Sequence, residues 1–495
     1  MKSYLKLAEK FETTSNIYKA MSILGWDNSV MMPKGSAEDR AKQQATLGAI
    51  AHQMIVSSEV KEMLAAAQSE TKDLDEWQKA NLKLMHNEWV HNNAVPEKLL
   101  TEMTMASSEC EMRWRTAKAD NDFKTFAMFL KKVLKLSREI ADLKAKALGL
   151  SRYDALLDQY DEGRRSADID KIFADLKTFL PSFIEQVMAK QSKQKQPVKP
   201  SGHYPIEKQK EISIELMKII GFDFDKGRLD VSSHPFSGGT PDDVRITTRY
   251  NEKDYTDSLM SVFHETGHAM YSFGQPLKYR GQPVGNSLGM SIHESQSLLI
   301  EMQVARSREF LSFLEKYTKK YFGDSFENSA ENLYAYYNHV EPSLIRVGAD
   351  EVTYPLHVIL RYDIEKKLVE GEMEVDDIPG EWNKKMKEYL GITPPTDREG
   401  CMQDIHWSDG SFGYFPTYTL GAMTAAQFYA QAKKDYPNIP QEISNGNFNS
   451  LMSWLREKVH SQGCLYTADE LTKNITGQPL NAEIFKNYLK GKYLG

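Results

Sequence analysis

The sequence predicts a mainly α-helical protein with one small β-hairpin or sheet. Nearly every segment from residue 1 to about 225 has helical periodicity, and Gly and Pro are confined to the joints between segments. β-Branched residues alternate at one place only, residues 228–250. A chain of 495 residues is longer than one ordinary core, so we expect two or three lobes or one large helical body.

The composition is that of an ordinary globular protein. Hydrophobic residues make up 41% and charged residues 26%, the net charge is -7, and no basic patch indicates a nucleic-acid partner. The cysteines, Cys110, Cys401 and Cys464, have no C-x-x-C spacing, which favours a reducing compartment over disulfides or thiolate zinc. No signal-peptide pattern and no apolar run of about 18 residues is present. We therefore expect a cytoplasmic protein without a membrane or nucleic-acid partner.

Residues 1–225 are predicted to form a helical scaffold. Pro33 and Gly35 mark a turn, and Ser36 is a candidate N-cap for the helix that follows. The polar segment 192–205 is the best candidate for an exposed loop or hinge. Periodicity predicts helices over residues 4–23, 37–54, 74–93, 97–118, 123–147, 167–191 and 205–220.

The hairpin predicted within residues 228–250 turns at Gly-Gly-Thr-Pro and directly precedes a helix containing His-Glu-Thr-Gly-His. A strand at the lip of a cleft can bind an extended peptide by strand addition; alternatively, the hairpin only packs against the helix. A loop is predicted at 391–417. The remaining helices are predicted over 288–315, 327–340, 353–369, 380–389, 417–434, 448–461, 468–475 and 482–490.

The His-Glu-Thr-Gly-His sequence is a candidate metal site. Residues four apart share one face of a helix, so His264 and His268 can present two imidazoles to one point. Glu265 lies on the flank of that face, where it can reach a metal-bound water without being a ligand. The alternative is a buried amphipathic helix whose histidines make ordinary hydrogen bonds. A third ligand is available in Glu294 on the next helix, if the two helices pack antiparallel.

Five motifs over residues 234–407 carry a family resemblance, together with the N-terminal MSILGWDNSVMMPKG. They are His234-Pro-Phe; Asp243-Val-Arg245-Ile-Thr; His264-Glu-Thr-Gly-His with His293-Glu-Ser-Gln; Ile345-Arg-Val-Gly-Ala-Asp350; and Gly400-Cys-Met-Gln-Asp-Ile-His-Trp407. In this set and order the chain resembles the thermostable zinc metallocarboxypeptidase (carboxypeptidase Taq) family over essentially its whole length.

The resemblance implies a fold and an activity. It implies a helical, two-lobed body with a deep central groove, similar to neurolysin and angiotensin-converting enzyme, and usually a homodimer. It also implies sequential release of C-terminal residues from peptides, with broad side-chain tolerance and Pro disfavoured. We expect one catalytic unit over 1–495, with the zinc site and groove in 226–434 and closing helices in 435–495.

The resemblance and the chemistry suggest the same catalytic roles. His264, His268 and Glu294 would hold one Zn²⁺ per chain, for which Co²⁺ is a possible substitute, and Glu265 would be the general base. The oxyanion needs a second electrophile. Similar enzymes place a His and a Tyr in the corresponding loop, which makes His406 the first choice and Tyr418 the second. Tyr414 competes with Tyr418, and any of these aromatic residues could instead only anchor the glycine-containing loop.

Three residues are candidates for binding the peptide. His234 could donate to a substrate carbonyl, or be a turn residue before Pro235. Arg346 is the candidate for the C-terminal carboxylate, because the guanidinium fork binds both oxygens, and Arg245 is the other option. Either arginine could instead form a buried pair, with Asp350 or Asp243 respectively.

The function expected from these features is a zinc-dependent carboxypeptidase that acts on short peptides. An oligoendopeptidase on the same fold is the first alternative. A non-catalytic helical peptide-binding protein is the second alternative, and the complete set of ligands with Glu265 argues against it.

Overall fold

The computed structural model describes residues 1–495 as a mainly helical protein with one three-stranded sheet, which confirms the predicted fold class. The first part of the chain is helical throughout. Its helices are α1 (Lys2–Val30), α2 (Ala37–Ile55), α3 (Ser58–Ser69), α4 (Glu76–Asn93), α5 (Glu97–Asp120), α6 (Phe123–Leu148), α7 (Arg152–Leu157), α8 (Ser166–Gln191) and α9 (Ile206–Ile220).

In this first part of the chain, the observed helices differ from the predicted ones in three respects. Helix α1 was predicted to end at residue 23, but it continues through Gly25 to Val30. One glycine inside a helix costs only about 1 kcal/mol, which is too little to end it. Ser36 does precede α2, but its side chain makes no capping hydrogen bond. Helices α3 and α7 were not predicted, although α3 begins at an N-cap, Ser57, whose hydroxyl accepts from the Val60 N–H at 3.3 Å.

The sheet contains the predicted hairpin and one further strand. Strands β1 (Gly227–Val231), β2 (Ser237–Thr240) and β3 (Asp243–Thr248) are ordered β1-β3-β2, with β1 parallel and β2 antiparallel to β3. The tight turn requires Gly239, which has φ +92°, and a Cβ there would lie 2.0 Å from the Asp243 carbonyl oxygen. The parallel strand was not predicted, because its partner is set by packing rather than by a local turn.

The second part of the chain carries the helix that contains the metal motif and its neighbours. A π-helical segment, Leu299–Ala305, follows α11 directly. The α-helices are α10 (Thr256–Gly274), α11 (Gly289–Leu298), α12 (Arg308–Phe322), α13 (Ala330–Tyr337), α14 (Tyr354–Glu370), α15 (Ile378–Leu390), α16 (Pro416–Asp435), α17 (Ile439–Ser444), α18 (Asn449–Lys458), α19 (Ala468–Thr476) and α20 (Ala482–Tyr493).

The single helix predicted over 288–315 is wrong. The chain leaves α11 through the π-helical segment, and Ser307 starts a new helix by accepting from the Phe310 N–H at 3.1 Å. The helix predicted over 327–340 is shorter, from Ala330 to Tyr337. The helix predicted over 448–461 ends at Lys458. In each case a capping residue or a tighter or wider turn interrupts a continuous apolar period.

Two large hydrophobic cores organise the molecule, and α16 contributes to both. Leu420 and Met423 pack into a core shared with α6, α8 and α14, whereas Phe428 packs into one shared with α9, α10 and α12. The helix between the cores also carries Tyr418 and Gly421 toward α11. The division of the chain at residues 225 and 434 stays a prediction. None of the helices is both long enough and apolar enough to cross a bilayer.

Candidate active site

The centre of the candidate site is the middle of α10, where His264 and His268 lie one turn apart with ring centroids separated by 5.0 Å. Glu294 on α11 places Oε2 3.5 Å from His268 Nε2 and 3.9 Å from His264 Nε2. Two ligand atoms about 2.1 Å from one tetrahedral ion lie roughly 3.4 Å apart. The donor set therefore has the spacing and the chemistry to hold one divalent ion, and its three ligand atoms lie within 4.8 Å of one another.

Two glycines let Glu294 approach the histidines. A Cβ at Gly267, inside the metal motif, would lie 2.5 Å from the Gln296 carbonyl oxygen, so glycine is what allows α10 and α11 to pack this closely. A Cβ at Gly421 on α16 would lie 2.9 Å from both Cβ and Cγ of Glu294. Glu294 is therefore held between two helices that each meet α11 at a glycine.

Hydrogen bonds around the two histidines determine which ring nitrogen faces Glu294. Glu301 Oε2 lies 2.8 Å from His264 Nδ1, and the other Glu301 oxygen pairs with Arg306. His268 Nδ1 lies 2.6 Å from His293 Nδ1. Because Nδ1 of each ring is engaged, Nε2 is the nitrogen left to bind a metal.

Sequence reasoning missed Glu301 and Arg306. Glu301 follows Glu294 by seven residues, about two helical turns, which is a weak periodic signal. The segment that carries Glu301 is π-helical, and the Arg306 N–H closes its last wide turn by donating to the Glu301 carbonyl oxygen at 3.1 Å. The local sequence has no signal for this turn, so the position of Arg306 was not predictable.

The carboxylates make the cluster favourable for a cation. Burial acts to lower the pKa of His264, but Glu294, Glu301 and Glu265 outweigh it and raise the pKa to about 10. Burial acts to raise the pKa of Glu301, yet Arg306 and His264 lower it to about 2. A position where carboxylates hold a proton this firmly is also suited to a metal cation.

Glu265 lies beside the two histidines and has no partner for one of its oxygens. The residue is 6% exposed, and Oε2 makes no hydrogen bond. Burial raises the pKa of Glu265, while the charges of His264 and His268 act in the opposite direction. A carboxylate with a free oxygen and a raised pKa has the properties of a general base.

The structure brings His406 and Tyr418 together, with 3.1 Å between His406 Nε2 and the Tyr418 hydroxyl. Burial lowers the pKa of His406 to about 4, with Asp404 acting against the shift and Arg346 with it. The imidazole is therefore neutral at neutral pH and can donate one N–H. Burial also raises the pKa of the Tyr418 hydroxyl, which stays protonated.

Both candidate tyrosines lie near the candidate metal cluster of His264, His268 and Glu294. Tyr418 lies three residues before Gly421, on the face of α16 that packs against Glu294. The Tyr414 ring lies 5.3 Å from the Tyr418 ring, and the charge of Glu294 acts on the pKa of both hydroxyls. The choice between the two tyrosines stays open.

Arg346 is buried in an ion pair, but its partner is Asp404 and not Asp350, the partner considered as the alternative to a substrate carboxylate. Its Nε and Nη2 donate to Asp404 Oδ1 at 3.1 and 2.8 Å, and its Nη1 donates to the Tyr354 hydroxyl at 3.0 Å. The pairing with Asp350 is wrong, because that carboxylate accepts from the N–H groups of the turn that begins α14. The Arg346 guanidinium carbon lies 5.0 Å from the Tyr418 ring centre, close to the second predicted oxyanion donor.

Arg245 and His234 lie in the sheet region and make no hydrogen bond with the histidine cluster. Arg245 forms the alternative pair, donating to both oxygens of Asp243 at 2.9 and 2.8 Å, and its guanidinium carbon lies 4.3 Å from the Trp26 ring centre. His234 is exposed in the connection between β1 and β2. Its backbone carbonyl oxygen accepts from the Ser232 hydroxyl.

Comparisons with known proteins agree along the whole chain. Residues 6–493 match the family described as carboxypeptidase Taq (M32) metallopeptidase. The chain is 36% identical to carboxypeptidase 1 of Bacillus subtilis, over 97% of this chain and 95% of that protein. It is 35% identical to thermostable carboxypeptidase 1 of Thermus thermophilus, over 99% and 98%. The solved structure of Trypanosoma cruzi metallocarboxypeptidase 1 is 37% identical, with a TM-score of 0.98 and 100% of each chain covered.

Proposed function

This chain belongs to the carboxypeptidase Taq (M32) family and is a metallocarboxypeptidase, and we propose that it is zinc-dependent and removes C-terminal residues from short peptides. The observation that carries the proposal is the cluster of His264, His268 and Glu294 beside the unpartnered carboxylate oxygen of Glu265. We propose that it tolerates most side chains and disfavours Pro.

The three ligands would hold one zinc ion per chain. Bound there, the ion would lower the pKa of a water molecule and polarise the scissile carbonyl. Glu265 would act as the general base that takes a proton from the attacking water, and would pass it to the leaving amine. The free Oε2 and the raised pKa of Glu265 support both roles.

The oxyanion is stabilised by His406 and Tyr418. Both are neutral at neutral pH and lie 3.1 Å apart, and an oxyanion that accepts from both would replace the hydrogen bond between them. Tyr414 is the alternative to Tyr418, because its ring lies against the same pair.

The C-terminal carboxylate binds near Arg346. Each of its terminal nitrogens makes one hydrogen bond, which leaves one N–H on each for a ligand, and Tyr354 extends the donor surface. Arg245 is the second choice, because Asp243 already occupies its fork. His234 is free to donate to a substrate backbone carbonyl from the edge of the sheet.

Mass spectrometry of the products of a mixed peptide set, with and without a chelator, tests this function. We expect stepwise loss of C-terminal residues, stopped by the chelator and by amidation of the C-terminus. Glu265→Gln should keep its metal, measured by elemental analysis, and lose roughly 10²–10⁴-fold in kcat. Near-full activity of this variant would remove Glu265 as the base.

Two alternatives are separated by the same assay. Efficient internal cleavage of amidated peptides would make the protein an oligoendopeptidase. Failure to bind a divalent metal, even after reconstitution, would favour a non-catalytic peptide-binding protein. The homodimer and the cytoplasmic location are further proposals, tested by light scattering and by cell fractionation.

A further inference from the structure

Two cavities adjoin at Glu88, and the larger one is lined by His293, a neighbour of the candidate metal ligand His268. The first has a volume of about 440 Å³ and is lined by residues of α1, by β2 and by His293, whose Nδ1 lies 2.6 Å from that of His268. The second has a volume of about 310 Å³ and lies between α4 and the segment around Tyr160. Glu88 lines both cavities, and the larger one, which extends from Glu88 to His293, is called the passage below.

The carboxylate of Glu88 differs from its acidic neighbours because it has no partner. In the smaller cavity, Glu162 pairs with Lys83 at 3.3 Å, and Asp158 lies 3.2 Å from a ring nitrogen of His91. Glu470 accepts from the backbone N–H and the hydroxyl of Thr467 at 2.8 and 3.0 Å.

Glu88 has no such contact, and burial alone raises its pKa to about 7. From α1, Tyr18 and Lys19 line the larger cavity with it, and neither makes a hydrogen bond or ion pair with its side chain. A partly buried carboxylate without a partner costs free energy, which a cation in the passage would recover.

We propose that Glu88 binds the N-terminal ammonium of a short peptide whose C-terminal end lies at the metal site. This rests on the proposed carboxypeptidase function. The passage runs along β2, and Ser22 occupies both the N–H and the carbonyl oxygen of Gly239 at 3.2 and 3.0 Å. Helix α1 therefore covers that edge of the strand. A short peptide would fit beneath α1 with its amino end at Glu88.

If Glu88 binds the ammonium, the enzyme should prefer peptides of one particular length. An extended peptide advances roughly 3.3 Å per residue, so one particular length places the ammonium against the carboxylate. Shorter peptides do not reach Glu88, and longer ones must leave the passage before their amino end. The proposal therefore gives the enzyme a preferred peptide length from a charge interaction, without any side-chain preference.

The test is a length series of peptides, each with a free and with an acetylated N-terminus. At one length we expect kcat/KM to be roughly tenfold higher for the free amine, because a charge-assisted hydrogen bond is lost on acetylation. In Glu88→Gln this ratio should fall to about one at every length. Glu162→Gln is the matched control: it changes a carboxylate in the same cavity that already has a partner, and should keep the ratio of the wild type.

Binding separates this proposal from the function on which it rests. In Glu265→Gln protein, calorimetry should show the same preference for the free amine, and adding Glu88→Gln should abolish it. If this difference is seen but the wild type cleaves no peptide, only the proposed function fails. If peptides are cleaved but the ratio is unchanged by Glu88→Gln, the assignment of Glu88 is wrong. A preference that follows a lysine side chain in acetylated peptides would also overturn it.

Discussion

The candidate metal cluster of His264, His268 and Glu294 with its neighbour Glu301, and the passage at Glu88, each contain a carboxylate with a shifted pKa, but the two shifts have opposite directions. In the cluster, Arg306 and His264 outweigh burial and lower the pKa of Glu301 to about 2. In the passage, burial alone raises the pKa of Glu88 to about 7. Glu301 is paired with the chain's own cations, whereas Glu88 has no partner in the chain. We therefore expect Glu301 to position the site and Glu88 to bind a ligand.

The two regions also differ in packing. The cluster lies where α10 and α16 contact α11 at Gly267 and Gly421. A methyl group added at either glycine would overlap with atoms of α11. The passage is an open volume lined by helices and a strand. Substitutions should therefore change metal binding in the cluster through geometry, and change peptide binding in the passage through charge.

Among the substitutions that compare the two regions, the largest effect is expected for Gly421→Ala. Its methyl group would lie 2.9 Å from Cβ and Cγ of Glu294 and would push that side chain from the histidines. We expect a loss of bound metal and of more than about 100-fold in kcat/KM. Gly380→Ala on α15 is the matched control, since a Cβ there meets nothing within 4 Å. Full metal content in Gly421→Ala would show that the cluster tolerates displacement.

A smaller effect is expected for Glu301→Gln. The amide accepts the His264 N–H less strongly and leaves Arg306 buried without its ion pair. Metal affinity, measured by competition with a chelator, should fall roughly 10–100-fold, and Tm should also fall. Glu315→Gln on α12, which changes a partly exposed carboxylate paired with Lys319, should leave the affinity unchanged. An unchanged metal affinity in Glu301→Gln would contradict the positioning role.

The smallest effect is expected for Glu88→Gln, which should change the thermal stability of the protein by a small amount that depends on pH. Because the folded pKa of Glu88 is raised, its ionisation destabilises the folded chain as pH rises from the ordinary value of 4.5 toward about 7 and above. Glu88→Gln removes this penalty, so its Tm should exceed that of the wild type by about 1–2 °C at pH 8, with a smaller difference at pH 5. Equal Tm values at both pH values would mean that Glu88 has a partner in solution.

Local patterns predicted much of this structure because they depend on neighbours in sequence. The helical period located most helices, the turn at Gly239 located the hairpin, and the spacing of His264 and His268 placed both imidazoles on one face. Other features depend on residues far apart. Arg346 meets Asp404 across 58 positions, and His264 meets Glu301 across 37 positions. Nothing in the sequence singles out Glu88, because only the folded structure shows which carboxylates have a partner.

The π-helical segment at Leu299–Ala305 sets the rotation of α12 about the helix axis relative to α11. An α-helix turns each residue by about 100°, so one residue added or removed here would rotate everything after it by that angle. Glu294 lies before the segment and would keep its place, whereas Arg306 lies after it and would turn away. A one-residue insertion or deletion in this segment would therefore separate the two parts of the hydrogen-bond network, Glu294 before it and Arg306 after it.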